Sequence, residues 1–215
     1  MKKSQNHAVL WRTLFVVCAI GLGIATQQLW RKFSKVQYVP YGTILTKPRP
    51  MPAFSLEGTE GYAIDSQHLQ GHWTYLFFGF THCATICPVT MAELAKMYRL
   101  LSQHSDLPSP WIVMVTLDPK RDDLVRMKEY VQSFNPHFLG ASGGQRETKN
   151  LARYLGVAYT HVKSSAQNRT NDYSIEHTGA VMLLNPHGEL VAFFTPPHQA
   201  DGLVQDYQYL VTTLK

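Results

Sequence analysis

The sequence predicts an α/β domain, a mixed sheet covered by helices, behind an N-terminal transmembrane helix. Three observations carry this reading. Residues 73–80 and 111–117 are apolar, strand-like runs separated by a stretch with helical periodicity. That alternation belongs to a parallel βαβ unit. Residues 179–184 and 189–194 are two more apolar runs around the turn-forming Asn185-Pro186-His187-Gly188, which marks an antiparallel hairpin. Charge and hydropathy also divide the 215-residue chain in two. Residues 1–50 hold eight Lys and Arg and no acidic residue, while 51–215 hold twelve basic against fifteen acidic.

The net charge of +5 therefore belongs to the leader, and the body is mildly acidic. A body without a basic excess is a poor partner for phosphates, which argues against a DNA-binding domain. Three cysteines are too few for a disulfide scaffold, whereas ten histidines raise the question of a metal.

In chain order, residues 8–25 are apolar except Arg12 and Thr13, with Lys2 and Lys3 before them and Arg31, Lys32 and Lys35 after. A span needs about 17–25 apolar residues, a length reached here if Arg12 snorkels to the head groups. We read 1–7 as a short cytoplasmic N-terminus and 8–27 as a transmembrane signal anchor. A cleavable signal peptide ending near Gly23-Ile24-Ala25 is the alternative. Seven residues are too few for a domain, so the body is expected on the periplasmic side of a bacterial-type inner membrane. Cys18 reads as a small core residue, since Val17 before it does not suit a lipid-attachment motif. Residues 28–51 read as a basic, proline-stiffened linker with Pro40, Pro48 and Pro50. The domain itself is placed at 52–215.

Within the body, residues 54–56 and 62–64 flank Gly58 and Gly61 and suggest a small hairpin. The run 73–80 reads as a central strand covered on both faces. Met91, Leu94, Ala95, Tyr98 and Leu101 recur at helical spacing over about 88–103, with Pro88 suited to a first turn. A second buried strand spans 111–117. A helix is expected over about 122–133, with Asp122 as its cap, and another over about 146–155. The hairpin 179–194 and a closing helix with Leu203, Tyr207, Leu210 and Val211 complete the order. This succession is that of a thioredoxin-like fold.

Residues 78–88 carry the chemistry: Cys83 and Cys87 follow the first central strand and precede Pro88. Ligand sites of open α/β sheets lie at strand carboxyl ends. Residues four apart on a first helical turn share a face, so two sulfurs can converge on one soft ion or be oxidised to each other. Backbone N–H groups and the helix dipole favour thiolates there. Two thiolates suit Cu(I) or Zn(II) and not Mg(II) or Ca(II). His177, in the loop before the final hairpin, completes a Cys₂His set, with His82 as a rival ligand. Softness and an unfilled position argue for copper over structural zinc.

At these residues the chain resembles the Sco/SenC family. The resemblance rests on Phe78-Gly79-Phe80-Thr81, Cys83 and Cys87-Pro88, then residues 115–122 with Asp118-Pro119, then Ile175-Glu176-His177-Thr178. It covers the body and the anchor. It implies a membrane-anchored, thioredoxin-like copper protein that assists assembly of the copper centre of cytochrome c oxidase. It implies that Cys83, Cys87 and His177 bind copper as Cu(I), Cu(II) or both, and that Cys83 and Cys87 form a redox-active disulfide. Asp118 is implied as a supporting residue. The implied partners are the copper-site subunit of the oxidase or another copper chaperone, and the membrane; no nucleic acid is expected. Ala84-Thr85 stand where the family has Pro-Asp, which removes a negative charge beside the thiolates; Glu176 stands for the family's Asp.

A metallochaperone is the favoured reading, with no catalytic residue assigned. A thiol–disulfide oxidoreductase acting on the cysteines of a copper-site partner is the alternative. A thiol peroxidase using Cys83 and a structural adaptor are weaker ones.

Overall fold

The computed structural model describes residues 11, 15–28, 38–163 and 173–214. The chain divides into two units between Val39 and Pro40. In the first, residues 15–28 form a helix, α1, with exposed side chains. The expected span at 8–27 lies partly outside the described residues. Among those described, no helix is long and apolar enough to cross a membrane.

The second unit is an eight-stranded mixed sheet with helices packed on it. Its strands are β1 (Thr43–Pro50), β2 (Ser55–Gly58), β3 (Ala63–Asp65), β4 (Thr74–Gly79), β5 (Trp111–Thr116) and β6 (Leu139–Ser142). Further along come β7 (Tyr159–Lys163), β8 (Tyr173–His177), β9 (Val181–Leu184) and β10 (Glu189–Phe194). The helices are α2 (Ile86–Leu101), α3 (Leu124–Phe134), α4 (Gln145–Tyr154) and α5 (Ala200–Thr213). Sheet order is β1-β10-β9-β4-β5-β6-β2-β3, and β7-β8 form a separate two-stranded ribbon.

The apolar runs become the centre of the sheet because they can be covered on both faces. All six residues of β4 and all four of β9 are buried. β4 pairs in parallel with β5 from Thr74↔Trp111 to Gly79↔Thr116, so the two strands end side by side. β9 runs antiparallel on the other side of β4, with Val181 opposite Phe77. The loop entering β9 is thereby delivered to the end where β4 and β5 stop. α2 turns Met91, Leu94, Ala95 and Leu101 into the core, the face that the periodicity predicts.

Three features depart from the sequence reading. Residues 43–50, expected as part of an extended spacer, form β1 and pair with β10, with an irregular register between Ile44 and Arg49. Pro48 and Pro50 have no N–H to donate, which an edge strand accommodates because one side of it carries no ladder. A short strand, β6, pairs with β5 in parallel and with β2. The β7-β8 ribbon precedes the final hairpin, where no strand was expected.

Candidate metal centre

The first cysteine is set by the turn after β4. Cys83 N–H donates to Phe80 O at 3.2 Å, and the Cys83 side chain remains partly exposed. Cys87 lies in the first turn of α2 and is fully buried. Gly79 makes room for it, since a Cβ at Gly79 would stand 3.0 Å from Cys87 Sγ and 2.8 Å from the Phe77 ring. His177 ends β8, with its ring 6.0 Å from that of Phe77 and 6.1 Å from that of Phe80. Its Nε2 is 3.4 Å from Cys87 Sγ. The ligand atoms of Cys83, Cys87 and His177 all lie within 4.8 Å of one another.

The electrostatics of the two sulfurs differ. Thr85 stands at the cap position of α2 without a side-chain cap hydrogen bond, and the first turn holds no acidic residue. The Cys83 sulfur takes that place, accepting the Cys87 N–H at 3.4 Å. The hydrogen bond from the Cys87 thiol, then those from the His177 imidazole and the Cys87 and Thr85 amides, hold the Cys83 thiol far below its ordinary pKa. The same sulfur–sulfur hydrogen bond, together with burial, pushes Cys87 up. The two shifts favour the negative charge on Cys83 and the proton on Cys87.

The imidazole is oriented through its other nitrogen. Gly179 N–H donates to His177 Nδ1 at 3.2 Å, which places the ring proton on Nε2, facing Cys87. Ligation through Nε2 requires that proton to move to Nδ1, which gives up the Gly179 contact, whereas the Cys87 proton must leave altogether. Gly179 has φ +63, and a Cβ there would lie 2.4 Å from Ile86 Cδ1. Its carbonyl is 2.9 Å from Nε2 of the buried His198.

Two buried carboxylates flank the cysteine loop. Asp122, expected as a helix cap, instead accepts Thr81 N–H at 2.9 Å, Thr81 Oγ1–H at 2.5 Å and Thr116 Oγ1–H at 2.7 Å. Asp123 caps α3, accepting Arg126 N–H. The cap moves by one residue because a carboxylate at 122 ties the β4 and β5 ends together. Asp118 is 1% exposed and is held by Arg121 and by the Tyr173 hydroxyl at 2.5 Å. His82, the rival ligand, is not in the cluster. Its Nδ1 faces Thr81 Oγ1 at 3.2 Å and Asp122 Oδ1 at 3.5 Å. Sequence reasoning also missed Tyr173, Arg121 and His198. Arg121 lay within a recognised motif, whereas nothing local marked Tyr173 or His198.

Two sulfurs and one imidazole are soft-to-borderline donors, a set that accommodates Cu(I) and leaves room for a ligand from another molecule. The same two sulfurs can be oxidised to each other.

Comparison with known proteins places this geometry. The sequence model described as SCO1/SenC matches residues 44–212. The chain is 29% identical over 209 residues to a mitochondrial SCO1 homolog of Arabidopsis thaliana, covering 94% of this chain and 61% of that protein. It is 30% identical over 160 residues to a putative copper-binding protein of Stutzerimonas stutzeri, covering 74% of this chain and 76% of that one. The crystal structure of Arabidopsis thaliana ScoI with copper bound superposes with a TM-score of 0.66 at 31% identity, over 73% of this chain and 94% of that one. The chain spans about three fifths of the length of the first curated relatives it matches, 61% and 58%.

Proposed function

The chain belongs to the SCO1/SenC family, and on that premise we propose that it is a membrane-anchored copper metallochaperone. It assists assembly of the copper centre of cytochrome c oxidase. The observation that carries this reading is the convergence of the Cys83, Cys87 and His177 ligand atoms within 4.8 Å at the end of the central strands. Copper is the cargo. Cys83 and Cys87 hold it as Cu(I), and His177 adds the nitrogen that also favours Cu(II). Three ligands leave a position for a partner's donor, so cargo passes by ligand exchange. The partner is the copper-site subunit of the oxidase or another copper chaperone.

Residues 8–27 anchor the chain as a single span, with 1–7 cytoplasmic and the domain, which the sheet extends back to include β1, on the periplasmic side; the tether is thereby shortened from the expected 28–51 to the residues before Pro40. Asp118 supports the site from the end of β5. The test is anaerobic titration of the reduced full-length chain with Cu(I) against a chromogenic chelator. One Cu(I) per chain is expected, with high-affinity binding lost in both Cys83→Ser and Cys87→Ser. Unchanged binding in both variants would sink the proposal.

A second reading, thiol–disulfide oxidoreductase, is favoured by the unequal sulfurs. The Cys83 thiolate attacks a partner disulfide and forms a mixed disulfide. Cys87, once deprotonated, displaces the partner thiolate, leaving the partner as a dithiol and this chain as the Cys83–Cys87 disulfide. The partner gains the two electrons that this pair loses. Rapid reduction of an oxidised copper-site peptide, abolished by Cys83→Ser, supports this reading; no reduction excludes it.

A further inference from the structure

His177 stands on an element that the main sheet does not hold. β8 pairs with β7 in a separate two-stranded ribbon, while both cysteines follow from β4 at the centre of the eight-stranded sheet. A two-stranded ribbon is marginal on its own, so its placement depends on side chains. Alternation along β8 puts Tyr173, Ile175 and His177 on one face. Ile175 is buried, whereas Ser174 and Glu176 are exposed. The inward face thus carries an apolar contact in the middle, the imidazole at one end and Tyr173 at the other.

Tyr173 is fixed three ways. Its hydroxyl donates to Asp118 Oδ1 at 2.5 Å, and its carbonyl accepts Arg121 Nη1–H at 2.9 Å. The Arg121 guanidinium lies 3.7 Å from its ring centroid. Arg121 Nε donates to the other Asp118 oxygen, and Asp118 N–H donates to Thr116 Oγ1 at 2.9 Å. Both carboxylate oxygens are therefore engaged, and the cluster is rooted at the end of β5.

We propose that Tyr173 and Arg121 are positioning residues for His177, holding the β8 strand to the turn after β5 so that the imidazole meets the two sulfurs. The proposal rests on the ligand set proposed above. At about 3.3 Å per residue the hold at Tyr173 lies about 13 Å along β8 from His177, and β7 pairs with β8 over that whole length, from Lys163↔Tyr173 to Tyr159↔His177.

The test uses the full-length chain and Tyr173→Phe, which removes one oxygen and keeps the ring. In the metal-free protein, hydrogen exchange at amides 174–177 is expected to rise at least fivefold, with α2 amides unchanged. In a cycle with His177→Ala, Tyr173→Phe is expected to weaken Cu(II) binding about tenfold, the scale of a residue behind a metal ligand. In the His177→Ala background it should add no further loss. Arg121→Lys keeps the charge but loses the planar contacts, and should shift both readouts the same way; it also serves if Tyr173→Phe does not fold. Unchanged exchange, a wild-type Cu(II) affinity, or an equal loss in both backgrounds would each overturn the proposal. If the wild-type chain takes up no copper, the function proposed above fails, while the exchange result still decides this one.

Discussion

Cys83 and Cys87 are unequal sulfurs although they are four residues apart. Cys83 sits at the rim, where it accepts the Cys87 N–H and is held low by the neighbouring thiol, imidazole and amides, whereas Cys87 is buried and pushed up. Because the folded pKa of Cys83 is depressed, its thiolate persists as pH falls below the ordinary thiol range. The stability it contributes is full above the unfolded thiol pKa and is lost as pH falls towards the folded one. Iodoacetamide should therefore modify Cys83 in the reduced, metal-free protein at a nearly constant rate between pH 8 and pH 6. An unperturbed thiol of pKa about 8.5 loses about tenfold per pH unit over that range. Peptide mapping by mass spectrometry makes the measurement, and a tenfold fall per unit at Cys83 contradicts this picture. At this scale the sequence was informative in part: the spacing of four brings the two sulfurs together locally, but only Cys87 lies in α2, while Cys83 sits in the turn before it rather than on the same helical turn. Asp122 was misjudged because its donors, Thr81 and Thr116, lie on two different strand ends.

At the scale of elements, the N-terminus of α2 carries the charge of the site. Thr85 occupies the cap position with no side-chain hydrogen bond, and the Cys83 sulfur supplies the negative charge that the helix end attracts. Thr85→Asp should add a cap and a carboxylate together. Urea unfolding should show a gain of about 1 kcal/mol. The added charge should raise the Cys83 thiol pKa, so that the pH at which its alkylation rate falls by half moves up. A midpoint that moves down would refute the assignment of the helix-end charge to Cys83. Other elements show what pattern alone leaves out. β4, β9 and α2 were legible because burial writes itself into consecutive or periodic apolar residues. β1 was not, since the prolines and basic residues that read as a spacer are also what an edge strand tolerates. β6 has four residues, too few for a period, and it exists because β5 and β2 offer it partners.

For the whole molecule, the site is an assembly of three strand ends. β4 supplies the cysteine loop, β5 supplies Asp118, and the chain entering β9 supplies His177. His177 lies 90 residues from Cys87, and Tyr173 lies 55 from Asp118. The first contact was anticipated because a thioredoxin-like topology returns that loop to the cysteine motif. The second could not be, because it depends on a ribbon that no periodicity announced. Copper held by two sulfurs and one imidazole is the central claim. X-ray absorption at the copper edge of the chain loaded with one equivalent of Cu(I) tests it most directly. The expected first shell is two sulfurs and one nitrogen, with the nitrogen lost in His177→Ala and sulfur lost in Cys83→Ser. A first shell of nitrogen and oxygen alone, or one that His177→Ala leaves unchanged, would contradict the site described.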